Sequence, residues 1–130
     1  MDPRQERYIE LQILEQQLNQ IQKNLQMMDQ QLAEIDAIKR NIETFGKEKK
    51  DSETLMPIAN GIFGKAKLSG NSELFVNVGS NVIVKKTIPD TVKLIENQGK
   101  EIEKYRVELI EQLQILVERI DTLQLELNKG

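Results

Sequence analysis

Two stretches of this chain place apolar side chains at alternating steps of three and four, and that spacing restricts the fold more than any other feature. The first runs Leu11, Leu14, Leu18, Ile21, Leu25, Met28, Leu32, Ile35, Lys39 and Ile42, broken only by Lys39. The second runs Val92, Ile95, Gly99, Ile102, Arg106, Leu109, Leu113, Leu116, Ile120, Leu123 and Leu127, broken by Gly99 and Arg106. Ile38 and Tyr105 stand beside the breaks and can lean into the seams. Each series lasts long enough to specify a coiled coil. A helix of roughly 35 to 40 residues is about 55 Å long at 1.5 Å per residue.

Laid head to tail, the seams match in length. Leu11 is expected beside Leu127, Leu14 beside Leu123, and Leu18 beside Ile120. The series continues with Ile21 beside Leu116, Leu25 beside Leu113, Met28 beside Leu109, Ile35 beside Ile102 and Ile42 beside Ile95. Lys39 then faces Gly99, and Arg106 faces Leu32 with its guanidinium turned outward. Two such seams in one chain are expected to close on each other as a hairpin. A parallel dimer of the first helix alone would leave the second seam unexplained.

The helical period stops near Phe45-Gly46, and the residue types change. Thr54 to Ala59 reads as a strand, at an edge or ending early because Pro57 lacks an N–H. Asn60-Gly61 is a strong hairpin signal, since both residues tolerate positive φ. Ile62 to Leu68 returns as a strand, and Ser69-Gly70-Asn71-Ser72 turns again. Glu73 to Val78 alternates with Leu74, Val76 and Val78 on one face; Gly79-Ser80-Asn81 turns, and Val82 to Lys86 follows. Thr87, Pro89 and Asp90 are start signals for the second helix.

The expected fold is therefore mainly α with a small β region: an antiparallel coiled-coil hairpin of two long helices joined by two β-hairpins. It reads as a single domain, 1–130, with helices over 1–46 and 88–130 and the hairpins over 53–87. Four short strands bury little surface alone, and their open edges seek partners. Oligomerisation through this region is expected, with Leu55, Ile58, Ile62, Ala66, Leu68, Leu74, Val76, Val78, Val82 and Val84 as the contact set. A small cap folded onto the end of the coiled coil is the alternative.

Composition removes whole classes of function. No Cys and no His are present, so disulfides, thiolate metal sites and the commonest general base are excluded. The opening Met1-Asp2-Pro3-Arg4-Gln5-Glu6 has no apolar run, so no signal peptide is expected. No stretch is apolar enough to span a membrane, and a soluble, cytoplasmic chain is the expectation. Net charge is −3. Residues 46–89 carry seven basic and four acidic groups, whereas both flanks are mildly acidic. An acidic chain without a basic stripe is a poor nucleic-acid binder. Gly61-Ile62-Phe63-Gly64-Lys65 is too short for a phosphate-binding loop, and its last residues fall in a strand. The carboxylates read as solvated helix faces, so no catalytic, cofactor-binding or metal residue is expected.

The order helix, two hairpins, helix resembles the alpha subunits of the prefoldin family. Leu55-Met56-Pro57-Ile58 and Gly64-Lys65-Ala66-Lys67-Leu68 carry part of the likeness. Its most specific part is Leu74-Phe75-Val76-Asn77-Val78-Gly79-Ser80-Asn81-Val82-Ile83-Val84-Lys85-Lys86-Thr87. Lack of Cys and short ends suit an archaeal member. The resemblance implies a hexamer of two alpha and four beta subunits, in which the strands form a platform and six coiled coils hang from it. It further implies an ATP-independent co-chaperone that holds unfolded proteins at the coiled-coil tips and passes them to a group II chaperonin. In the hairpin register, residues 1–14 and 123–130 meet at the tip. Tyr8, Ile9, Ile13 and Leu125 lie off the seam there, and Leu11, Leu14, Leu123 and Leu127 join them if the last turns splay. These eight are the candidate client-binding set. A structural adaptor joining fixed folded partners is the alternative function.

Overall fold

The computed structural model describes residues 2–129. The order is α1 (Pro3–Gly46), β1 (Glu53–Ala59), β2 (Ile62–Lys67), β3 (Glu73–Asn77), β4 (Ile83–Thr87) and α2 (Ile88–Lys129). Two long helices thus enclose two β-hairpins in the sequence. Met1 and Gly130, assigned to the helices from the sequence, lie outside the described residues. The chain divides into two compact units, one of residues 1–33 with 99–130 and one of residues 34–98.

In the first unit, the two helical segments run antiparallel. Asp2 starts α1: its carboxylate accepts the Arg4 N–H at 3.1 Å, and its carbonyl accepts the Glu6 N–H at 3.0 Å. Pro3 follows where a missing N–H costs nothing. Each seam position here is buried or half-buried, from Leu11 to Leu32 on α1 and from Gly99 to Leu127 on α2. The deepest are Ile120, Leu123 and Leu127, with Leu123 fully buried.

The register differs from the one expected. Arg7 pairs with Glu126 at 3.2 Å, Arg119 with Glu10 at 3.0 Å, and Arg106 with Asp29 at 2.8 Å. Setting Leu11 beside Leu127 would put Glu10 about 13 Å along the axis from Arg119, at 1.5 Å per residue, beyond side-chain reach. Setting Leu11 beside Leu123 and Leu14 beside Ile120 reduces that offset to about 7 Å, which the two side chains span. The physical reason lies in the step lengths. Leu11 to Leu14 is a step of three, as is Ile120 to Leu123, whereas Leu123 to Leu127 is a step of four. Antiparallel seams stay level only when equal steps face each other.

The second unit shows the same shift by itself. A Cβ on Gly46 would meet Ile88 Cγ2 at 3.5 Å, so the end of α1 packs closely on the start of α2. Lys39 reaches Glu96 at 2.8 Å. The expectation that Lys39 would lie across Gly99 is thus replaced by an ion pair with Glu96.

Both hairpins are antiparallel two-stranded sheets, β1 with β2 and β3 with β4. In the first, Ala59 pairs with Ile62, leaving Asn60-Gly61 as the loop, and the register shifts between Pro57 and Ala59. Gly61 has φ 75°, but Asn60 is not left-handed. The paired positive-φ turn expected at Asn60-Gly61 appears instead at Ser80 (φ 51°) and Asn81 (φ 62°). There the Val82 N–H closes the turn on the Gly79 carbonyl at 2.9 Å. β1 has a partner on one side only, the edge position where a residue lacking an N–H such as Pro57 is tolerated.

Side-chain hydrogen bonds tie the hairpins to the helix ends of this unit. Asn71, between β2 and β3, donates from Nδ2 to the carbonyls of Phe45 (3.2 Å), Gly46 (3.0 Å) and Glu48 (2.6 Å). Terminal helix carbonyls lack intrahelical partners, and Asn71 supplies one. Thr87 caps α2: its Oγ1 accepts the Asp90 N–H at 3.2 Å, and its carbonyl accepts the Thr91 hydroxyl at 2.8 Å.

Candidate interaction surfaces

Alternation along β3 and β4 gives their hairpin two faces. Val76 pairs with Val84 and Leu74 with Lys86, and all four are half-buried. The opposite face carries Phe75, paired with Lys85, and Ile83, paired with Asn77. Phe75 is 70% exposed, although the Lys85 ammonium lies 5.7 Å from its ring centroid. Every residue of β1 is exposed, including Leu55, Met56 and Ile58, and Ile62 and Phe63 of β2 are exposed as well.

Of the ten residues expected to mediate assembly, Leu55, Ile58, Ile62, Val78 and Val82 stand exposed. Ala66, Leu68, Leu74, Val76 and Val84 are half-buried. Sequence reasoning missed Met56, Phe63, Phe75 and Ile83, which are exposed apolar groups of the same strands. The signal was available: Phe75 and Ile83 alternate with the face already chosen, so the opposite face carries apolar groups as well. Exposed apolar surface is thus gathered on two hairpins of a size that is marginal alone.

The eight client-binding candidates lie in the first unit, and the structure separates them. Tyr8, Ile9, Ile13 and Leu125 are exposed. Leu11 and Leu14 are half-buried in the seam. Leu123 and Leu127 are buried, so in this structure they serve the seam and not the surface. Arg4 shapes the same end. Its guanidinium lies 5.8 Å from the Tyr8 ring centroid and donates to the Leu127 carbonyl at 2.9 Å. That bond satisfies a carbonyl in the last turn of α2. Beside the seam, Gln17, Gln20, Ile21, Gln112, Ile115 and Leu116 line a shallow groove of about 420 Å³.

Electrostatics here are those of solvated ion pairs. A hydrogen bond to Glu96 and its charge hold the Lys39 ammonium above its ordinary pKa. A hydrogen bond to Glu10 and its charge do the same for Arg119. Among the described residues, no group of three or more acidic side chains could hold a metal ion. No helix among them is long and apolar enough to cross a membrane.

A family model described as prefoldin subunit matches residues 14–129. Prefoldin subunit alpha of Methanobrevibacter smithii is 32% identical over 95 residues, covering 72% of this chain and 64% of that protein. The match therefore spans less than two thirds of that relative's length. Prefoldin subunit alpha of Archaeoglobus fulgidus is 24% identical over 123 residues, covering 95% of this chain and 90% of that protein. The fold matches a chain in a cryo-EM structure of filamentous PFD from Methanocaldococcus jannaschii. That match has a TM-score of 0.79 and 17% identity, and it covers 88% of this chain and 95% of the other. The chain belongs to the prefoldin family, as an alpha-type subunit similar to those of archaea. Membership implies a chaperone role.

Proposed function

We propose that this chain works without ATP in a prefoldin-type hexamer of two alpha and four beta subunits, holding non-native proteins and passing them to a group II chaperonin. The observation that carries the reading is apolar surface on both compact units. Leu55, Ile58, Phe63, Phe75 and Ile83 are exposed on the hairpins, and Tyr8, Ile9, Ile13 and Leu125 on the coiled coil. On this reading the hairpins serve assembly. An oligomer built on them buries a large apolar area at roughly 25 cal/mol per Å². The coiled-coil set serves clients. Scattered apolar side chains give weak, non-directional contact, which suits many different sequences.

The test is suppression of aggregation of a chemically denatured protein by the complex formed with a beta-type subunit, without nucleotide. Wild-type complex is expected to suppress it. Replacing Ile9, Ile13 and Leu125 together with Ser is expected to weaken suppression while the mass of the complex stays the same. Undiminished suppression by a fully assembled variant would move the client site elsewhere. Failure of the wild-type complex to suppress aggregation would remove the holdase reading.

A further inference from the structure

We infer that Asn60 is a site of spontaneous deamidation and isoaspartate formation, set apart from every other asparagine of the chain by its neighbour and its position. The reaction needs the backbone nitrogen of the following residue to reach the asparagine side-chain carbonyl. Attack forms a five-membered succinimide and releases ammonia. Water then opens the ring at either carbonyl, giving aspartate or isoaspartate. Solvent water is the only co-reactant, and no electrons are transferred. Two conditions favour the step: a following residue without a side chain, and a backbone segment free to reorient.

Asn60 meets both. It precedes Gly61, and no other asparagine in the chain precedes a glycine. Asn60 and Gly61 form the loop between the paired Ala59 and Ile62, and both are exposed. Nothing lies within 4 Å of the place a Gly61 Cβ would occupy. Gly61 also moves through φ space at lower cost than any residue with a Cβ. Elsewhere the step is hindered. Asn19, Asn24, Asn41, Asn97 and Asn128 sit in helices, where the next N–H is committed to the helical ladder. Asn71 has its amide held by three carbonyls. The Asn77 Oδ1 accepts the Gly79 N–H at 2.9 Å, and both Asn77 and Asn81 precede a β-branched valine.

The products alter the first hairpin. Aspartate adds a negative charge beside the exposed Ile58 and Ile62. Isoaspartate adds a methylene to the main chain between Ala59 and Ile62, the pair that closes the hairpin.

The experiment incubates the full chain at mildly alkaline pH and 37 °C, with site-resolved peptide mass spectrometry over time. Asn60 is expected to convert faster than Asn71, Asn77 or any helical asparagine, with isoaspartate exceeding aspartate and the rate rising with pH. Replacing Asn60 with Gln is expected to abolish most of the mass gain, since the longer side chain closes its ring far less readily. Gly61→Ala is expected to slow conversion, and circular dichroism of that variant shows whether the hairpin survives. The inference is overturned if another asparagine converts first, if the Asn60→Gln variant gains mass as fast as wild type, or if Asn60 stays intact throughout.

Discussion

The two compact units use similar apolar residues in opposite ways. In the unit of residues 1–33 with 99–130, the seam leucines and isoleucines face one another, and Ile120, Leu123 and Leu127 lose nearly all contact with water. In the unit of residues 34–98, the strands carry Leu55, Ile58, Phe63, Phe75 and Ile83 in the open. Both draw on apolar periodicity. A period of 3.5 in two antiparallel helices satisfies itself within one chain. A period of 2 in a lone two-stranded sheet covers neither face. The first pattern buries its apolar groups, and the second leaves them in contact with water.

The largest effect expected from a single substitution lies in the seam. Leu123→Ala removes the only fully buried large side chain among the described residues. A cost of about 2–5 kcal/mol is expected in urea unfolding followed by circular dichroism, the usual range for a large-to-alanine change in a core. Phe75→Ser, at a 70% exposed position, should leave unfolding of the isolated chain almost unchanged. Equal losses would erase the contrast between the units.

Next come the links between hairpins and helix ends. Asn71→Ala removes hydrogen bonds to three carbonyls. A loss of roughly 1 kcal/mol is expected, with faster amide exchange near Phe45. Thr87→Ala removes the cap of α2 at a cost of about 1 kcal/mol. If neither substitution shifts the unfolding midpoint, these bonds contribute nothing to the second unit.

The smallest effects belong to the ion pairs. Arg119→Gln should change stability slightly, and less at high salt, because both partners are exposed. Lys39 has a raised pKa, so its pairing with Glu96 is fully present below the unfolded-state value. That contribution is lost only as pH rises through the folded-state value, above the ordinary lysine range near ~10.4. Between pH 6 and 9, a titration of unfolding for Lys39→Gln against wild type should therefore run parallel. Converging curves in that window would assign the pairing to another group.

Much of this was readable from the sequence, for particular reasons. The seam positions were legible because burial in a helix repeats at fixed steps, and each is buried or half-buried. The register was not, because seam positions were matched by order and not by step length. The ion pairs Glu10–Arg119 and Lys39–Glu96 identify the shift. Thr87 was legible as a cap because its bond is local. Asn71 was not, because its partners lie more than twenty positions away. Phe75 and Ile83 were passed over because only the face of Leu74, Val76 and Val78 was read as apolar, although both residues are exposed on the other.

The most direct test of the division between the units is the native mass of the chain co-expressed with a beta-type subunit, compared with the Val76→Asp, Val84→Asp double variant. Charges at that facing pair should prevent burial of the hairpin. The account predicts a six-subunit mass for wild type. For the variant it predicts dissociated subunits with undiminished helical content, since the seams of α1 and α2 are untouched. A variant that keeps the full mass would contradict it, because assembly would then not depend on the hairpins.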